Sequence, residues 1–230
     1  MILHGFLPSL LEGAAITLGV ALSSLLIAAL LGLTGALAKL SRSRIAQAVA
    51  GVYTTLIRGV PDLVLMLLVF YGGQLGINTL APMLGHEDYI DIDPFLAGVL
   101  TIGFIFGAYL TEAFRGAFLA VPPGQREAGL AFGMRPRQVL WRITLPQMMR
   151  HALPAISNNW LVLIKSTAIV SVIGLSDLMT RGQQAAGTTR EPFSFYLAVA
   201  VIYLLFTSVS ELGFAWAQRR LAIGVREGRL

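Results

Sequence analysis

Glu112 and Arg115 stand three residues apart in an otherwise apolar run, a spacing that puts both side chains on one face of a helix. A carboxylate and a guanidinium so placed have two uses. They neutralise one another near a membrane interface, or they present complementary handles to a zwitterion, Arg115 offering its planar fork to a carboxylate and Glu112 accepting an ammonium or cationic side chain. Lys165 lies nearer the middle of a later apolar run, where snorkelling to an interface is hardest. It lines a polar pathway or bonds to carbonyls of a neighbouring broken helix. Arg58 and Asp62 are four apart across Arg58-Gly59-Val60-Pro61-Asp62, a break that either supplies backbone dipoles to a ligand, as a gate or pathway element, or is a kink held by an ion pair. An ionisable group at membrane depth costs at least ~2.5–3.5 kcal/mol, so each of these needs a partner, water or a function. Asn158 and Asn159 read as hydrogen bonds between helices, and Asp177 and Glu211, near the ends of their runs, as solvated charges.

Covalent and metal chemistry find little to work with. The sequence has no Cys, which excludes disulfides and thiolate metal sites. His4, His86 and His151 are far apart and lack metal-ligand spacing. No G-x-x-x-x-G-K-[ST] run exists to cradle a nucleotide. The chain is therefore expected to bind no metal, and no nucleotide in the usual loop.

The elements that must hold these charges are membrane helices. Hydrophobic residues make up 56% and charged residues 13% of the 230 positions, too few charges to cover a soluble surface. The net charge of +5 forms no stripe interleaved with aromatics, which argues against nucleic acid. Crossing ~30 Å of hydrocarbon takes about 20 helical residues, and five stretches qualify: about 13–38, 51–77, 94–119, 151–175 and 192–217, the second broken near Pro61. The fold expected is all-α, a single transmembrane domain over 1–230. Gly103 and Gly107 form a G-x-x-x-G pair suited to close helix packing. The N-terminus lacks the basic region of a cleavable signal.

Basic residues collect after spans one (Lys39, Arg42, Arg44), three (Arg126, Arg135, Arg137, Arg142, Arg150) and five (Arg219, Arg220, Arg226, Arg229), while Glu87, Asp88, Asp91 and Asp93 follow span two. The bias of Lys and Arg toward the cytoplasm predicts an outside N-terminus and an inside C-terminus. The connection 121–150 reads as a surface hairpin. Pro122-Pro123-Gly124 closes span three, Gln125 to Gly133 favours a short helix, Pro136 starts a second and Pro146 ends it. An acid, several arginines and small residues at Ala128, Gly129 and Gly133 suit docking into a groove of another protein.

Glu127-Ala128-Gly129, three residues, Gly133, nine residues, Ile143, one residue, Leu145-Pro146 resembles the E-A-A motif of binding-protein-dependent ATP-binding-cassette (ABC) importers, with Gly129 in place of the second Ala. The runs Ala108–Ala117, Val121–Gln125 and Tyr53–Asp62, with Asn158-Asn159-Trp160 and Lys165-Ser166-Thr167-Ala168, are similar to polar amino-acid permeases, and within them to the Q-type membrane subunits of histidine and lysine-arginine-ornithine importers. The resemblance covers nearly the whole chain. It implies a type I importer permease fold in the bacterial inner membrane, and the motif residues Glu127, Ala128, Gly129, Gly133, Ile143, Leu145 and Pro146 as the coupling site for an ATPase. It further implies a second homologous permease subunit in a heterodimer, two ATPase subunits carrying ATP and Mg, and a periplasmic amino-acid binding protein, with hydrolysis left to the ATPases so that this chain is not an enzyme and binds no cofactor itself. Histidine, arginine, lysine and ornithine are the substrates implied. An ion-coupled secondary amino-acid transporter is the alternative, disfavoured by the absence of visible internal repeats. A membrane scaffold would leave the hairpin and the buried charges unmotivated.

Overall fold

Uncharged stretches of Leu, Ala, Ile and Gly satisfy their backbone internally only as helices once they enter lipid, and helices are what the sequence forms. A computed structural model of the protein describes residues 2–85 and 88–221. His86, Glu87, Arg226 and Arg229 lie outside the described residues, as does the side chain of His4. The helices are α1 (Leu7–Leu40), α2 (Arg44–Gly59), α3 (Asp62–Leu80), α4 (Pro94–Leu119), α5 (Pro123–Ala131), α6 (Pro136–Val139), α7 (Leu145–Ser166), α8 (Leu178–Thr189) and α9 (Pro192–Leu221), with no strand among the described residues. Five helical segments are long and apolar enough to span a membrane: Leu7–Leu40, Asp62–Met83, Pro94–Leu119, Pro136–Ile173 and Pro192–Leu221.

The frame is a parallel pair. Ser24 of α1 donates to the Val99 carbonyl of α4 at 3.2 Å, and a Cβ added at Gly103 or Gly107 would lie 2.8 Å from Ile27 or 2.7 Å from the Tyr53 hydroxyl. Gly32 and Gly35 in turn admit Leu110 and Thr111, where an added Cβ would come within 2.6 and 2.3 Å. Small residues on both helices thus bring the backbones together, which in lipid must be driven by packing rather than by water. The G-x-x-x-G pair is a packing device, as its spacing suggests. α4 is the most buried span and carries the core residues Ile102, Ile105, Phe106 and Leu110 against α1 and α7.

Several boundaries differ from the sequence expectation. The second stretch is two separate helices, not one interrupted span: Val60 and Pro61 are extended, and the apolar span starts at Asp62. Proline removes a donor and drives its predecessor out of the helical region. Pro146 does not end a helix. It sits in the first turn of α7, directly after a π-helical turn, Leu140–Thr144, in which the Leu145 N–H bonds back five residues to Leu140. A π turn widens the helix where the proline has no N–H to give, so the helical segment that carries the fourth span begins near Pro136, well before His151. α8 replaces an expected loop. Its buried face is Leu178, Gly182, Ala185 and Ala186, packed on α1 and α9. Asp177, expected to be solvated, is 1% exposed and caps α8 by accepting from the Thr180 N–H at 2.9 Å. Glu211 is exposed, as expected. Asn159 bonds to Ala155 of its own helix and not across helices; Trp160 makes the α7–α9 bond, donating to Ser210 at 2.8 Å.

Candidate functional site

The hairpin between α4 and α7 is built on two glycines. Gly133 ends α5 with φ +78°, the left-handed conformation that glycine adopts without a Cβ penalty, and the Met134 N–H reaches back to the Gly129 carbonyl at 3.1 Å. The Gln138 side chain then accepts from the Arg135 N–H at 2.8 Å to start α6. Gly129 is buried where α5 crosses the following turn: a Cβ there would lie 2.7 Å from Ile143 Cδ1 and 3.1 Å from Val139. Two residues of the motif, fourteen positions apart in sequence, therefore meet as the hinge that sets the angle of α5. Glu127 and Ala128 face outward, exposed. Beside them stands Phe132, 88% exposed, which sequence reasoning passed over. Its signal was available: a large aromatic directly before a helix-ending glycine, in a short helix between charged residues, has no long apolar run to be part of. Trp141 and Leu130 add to this exposed apolar surface, while Leu145 and Pro146 belong to the root of the hairpin.

At the same end of the bundle, a cluster centred on Glu112 joins α1, α2 and α4. Glu112 Oε1 accepts from Lys39 Nζ of α1, and its Oε2 accepts from Arg115 Nε at 3.0 Å. Lys39 also donates to Thr54 of α2 at 2.6 Å. Sequence spacing identified the Glu112–Arg115 pair but placed Lys39 among loop charges; only the parallel α1–α4 pairing brings it in. Arg58 turns its guanidinium over the Tyr109 ring, 5.5 Å from the centroid, and among the described residues no ion pair links it to Asp62. Lys165 stands apart from Glu112 and Arg115. It borders a hollow of about 350 Å³ with Met179, Tyr196 and Tyr203, and among the described residues its ammonium has no ion pair or hydrogen bond.

Residues 24–223 match the binding-protein-dependent transport system inner membrane component family. The chain belongs to that family. It is a multi-pass inner-membrane permease component of an ABC importer. It is 52% identical over 228 residues to the histidine/lysine/arginine/ornithine transport system permease protein HisQ of Escherichia coli, covering 99% of this chain and 100% of that one. It is 42% identical to the octopine transport system permease protein OccQ of Rhizobium radiobacter, over 98% of each chain. The crystal structure of an amino acid ABC transporter with histidines superposes with a TM-score of 0.79 at 32% identity, covering 94% of this chain and 95% of that one. An inward-facing methionine ABC transporter shares the fold, with a TM-score of 0.73 at 19% identity and coverage of 95% and 98%.

Proposed function

We propose that this permease carries basic and polar amino acids, with histidine, arginine, lysine and ornithine as the class, handed to it by a periplasmic binding protein and driven by two separate ATPase subunits. The observation that carries the coupling half of this reading is the hairpin: a rigid, glycine-hinged helix presenting Glu127 and an uncovered Phe132. A buried aromatic anchor beside a charged contact is how a small interface gains most of its energy. Substrate class rests on the whole-length likeness to HisQ and on the range of the other relatives, which includes the arginine ABC transporter permease ArtQ of Escherichia coli.

In this reading the N-terminus is outside and the hairpin inside, in accord with the basic residues at that end. A second, homologous permease completes a heterodimer. Glu112 and Arg115 were candidates for the substrate pathway; because Glu112 already holds two cations, its role is to brace α1 and α4 at the inner end. Lys165, uncommitted at membrane depth, is the residue suited to take a substrate carboxylate. Arg58, stacked on Tyr109 at the α2–α3 break, is suited to a gate. The mechanism is alternating access: closure of the ATPases on nucleotide pulls the paired hairpins together, and each rotates α4 and α7, between which it is strung, so that the helices reorient without any covalent step on this chain.

Reconstitution with partner permease, ATPase and binding protein tests this reading. ATP- and binding-protein-dependent accumulation of labelled histidine or arginine is expected, with loss in Lys165→Met at preserved ATPase binding. Uptake driven by an ion gradient without ATPase would transfer the function to a secondary transporter. Since the chain has no native Cys, a cysteine placed at Arg137 reports the side of the hairpin to an impermeant thiol reagent; labelling from the periplasm would end the coupling role.

A further inference from the structure

A groove of about 610 Å³ lies between the latter half of α1 and the start of α2, walled by Leu31, Thr34, Ala38, Ile45, Val49 and Phe104. Its few hydroxyls are already occupied. Thr34 donates to the Leu30 and Leu31 carbonyls at 3.0 Å, Tyr53 donates to the Phe104 carbonyl at 2.5 Å, and Ser43 accepts from the Ala46 N–H at 3.3 Å. Nothing in it would replace the hydration of an amino acid, so it is not a substrate site. Ser43 lines one end of the groove, and its sequence neighbours Arg42 and Arg44 are both exposed; among the described residues neither forms an ion pair. Lys39, the third cation of this segment, is by contrast held by Glu112 and Thr54.

An apolar slot alongside a membrane-spanning helix, with two exposed arginines flanking the Ser43 that lines one end of it, complements an amphiphile with an anionic head and an acyl tail. We infer that this groove binds an anionic phospholipid of the leaflet at the basic end of the bundle, its chain lying between α1 and α2 and its phosphodiester held by Arg42 and Arg44. A flat lipid-facing surface takes neighbouring lipids without preference. A concavity with charge fixed at one end selects the head group and holds it for longer. The exposed ridge Ile45, Val49, Val52 and Leu56 beside the groove would also suit a protein helix, but two guanidinium groups at an apolar helix contact would lie unpaired. The occupant wedges α2 against α1, next to the Lys39–Thr54 contact.

The test uses the full-length chain in its purified transporter complex, with native mass spectrometry after partial delipidation. Phosphatidylglycerol is expected to be retained over phosphatidylethanolamine, and Arg42→Gln with Arg44→Gln should weaken its retention roughly thirtyfold, each surface cation contributing about fivefold. Ala46→Trp, which fills the groove, should abolish retention with the complex intact. Because both arginines are exposed, the glutamine pair still decides the matter if the tryptophan disturbs folding. Equal retention of the two lipids by the native complex, or of phosphatidylglycerol by native and glutamine forms, overturns the inference. So does efficient cross-linking of Val49→Cys to the partner permease or to a second copy of this chain, which would place protein in the groove.

Discussion

Lys39, in the last turn of α1, donates to Glu112, in the last third of α4, across 73 positions of sequence. Arg115 holds the other oxygen of the same carboxylate, so one acid faces two cations and the cluster keeps a net positive charge at the basic end of the bundle. Glu112→Gln leaves the two cations facing each other without their counter-ion. The complex is expected to lose about 2 kcal/mol of stability, less than the roughly 3–5 kcal/mol of a fully buried broken pair because the groups are partly exposed, read as a lowered melting temperature in detergent. Adding Lys39→Gln should return part of the loss, a coupling that a double-mutant cycle measures. A raised KM for substrate with unchanged melting would instead make Glu112 a substrate ligand.

Gly129 and Ile143 set a second test. The family pattern that this hairpin resembles has Ala at position 129, and the atom that an added Cβ would meet first is Ile143 Cδ1, the far end of a side chain that can turn aside. Gly129→Ala should therefore be tolerated, helix propensity gaining roughly 1 kcal/mol against that small displacement. Gly129→Leu has no such escape, since Val139 closes the other side. It is expected to uncouple ATP hydrolysis from uptake while the subunit still inserts and assembles with its partner permease. Coupled uptake by the leucine variant would show that α5 is free to shift.

Phe132 extends the same surface. If its ring is the anchor of the ATPase contact, Phe132→Ala should cost about 2 kcal/mol or more of association, seen as loss of co-purifying ATPase at unchanged permease yield. Gly133→Ala tests the adjoining hinge separately: forcing a Cβ into the left-handed conformation costs about 1–2 kcal/mol, and Gly133→Asn should recover part of it because Asn tolerates that region. Full ATPase retention in Phe132→Ala would place the anchor elsewhere on the hairpin.

Much of this was legible in sequence because lipid leaves little choice: five apolar runs become helices, and the third, 94–119, has the same bounds in sequence and structure. The break near Pro61 and the helix-ending Gly133 could also be read, since proline and glycine act on their own backbone, whereas Gly129, read as a small residue for docking, is buried against Ile143 of its own hairpin. The rest depended on neighbours. α8 escaped notice because, beyond Leu178 at its start, its buried face is Gly182, Ala185 and Ala186, small residues with little hydrophobic signal. Pro146 looked like a stop because proline ordinarily breaks a helix, whereas here it occupies the first turn of α7 behind a π turn. Lys39 looked like a loop charge because nothing in one sequence announces that α1 and α4 run parallel with these ends together. Asp177 was hidden by a different long-range contact, the packing of α8 on α1, where a Cβ at Gly13 would lie 2.9 Å from the Asp177 carbonyl.

Asp177 supplies the last prediction. It lies beyond the apolar spans, buried, with Oδ1 capping α8 and Oδ2 without a hydrogen-bond partner, and burial pushes its carboxyl above the usual carboxylate value against the weaker pull of its hydrogen bonds. For an acid whose folded pKa is raised, the neutral form is favoured on folding, so its contribution to stability is present below the ordinary carboxylate pKa and is lost as pH rises through the folded one. Asp177→Asn keeps a good cap and removes the charge that folding must desolvate. It should melt no lower than the native subunit at pH 7 and should flatten the part of the melting profile that falls as pH rises above the usual carboxylate range. Asp177→Ala removes the cap as well and should cost about 1 kcal/mol, with faster hydrogen exchange confined to α8 and the facing turn of α1, where Arg181 also holds Glu12 at 2.7 Å. An Asn variant that melts well below the native subunit at pH 7 would mean that Asp177 is ionised and partnered in the folded state.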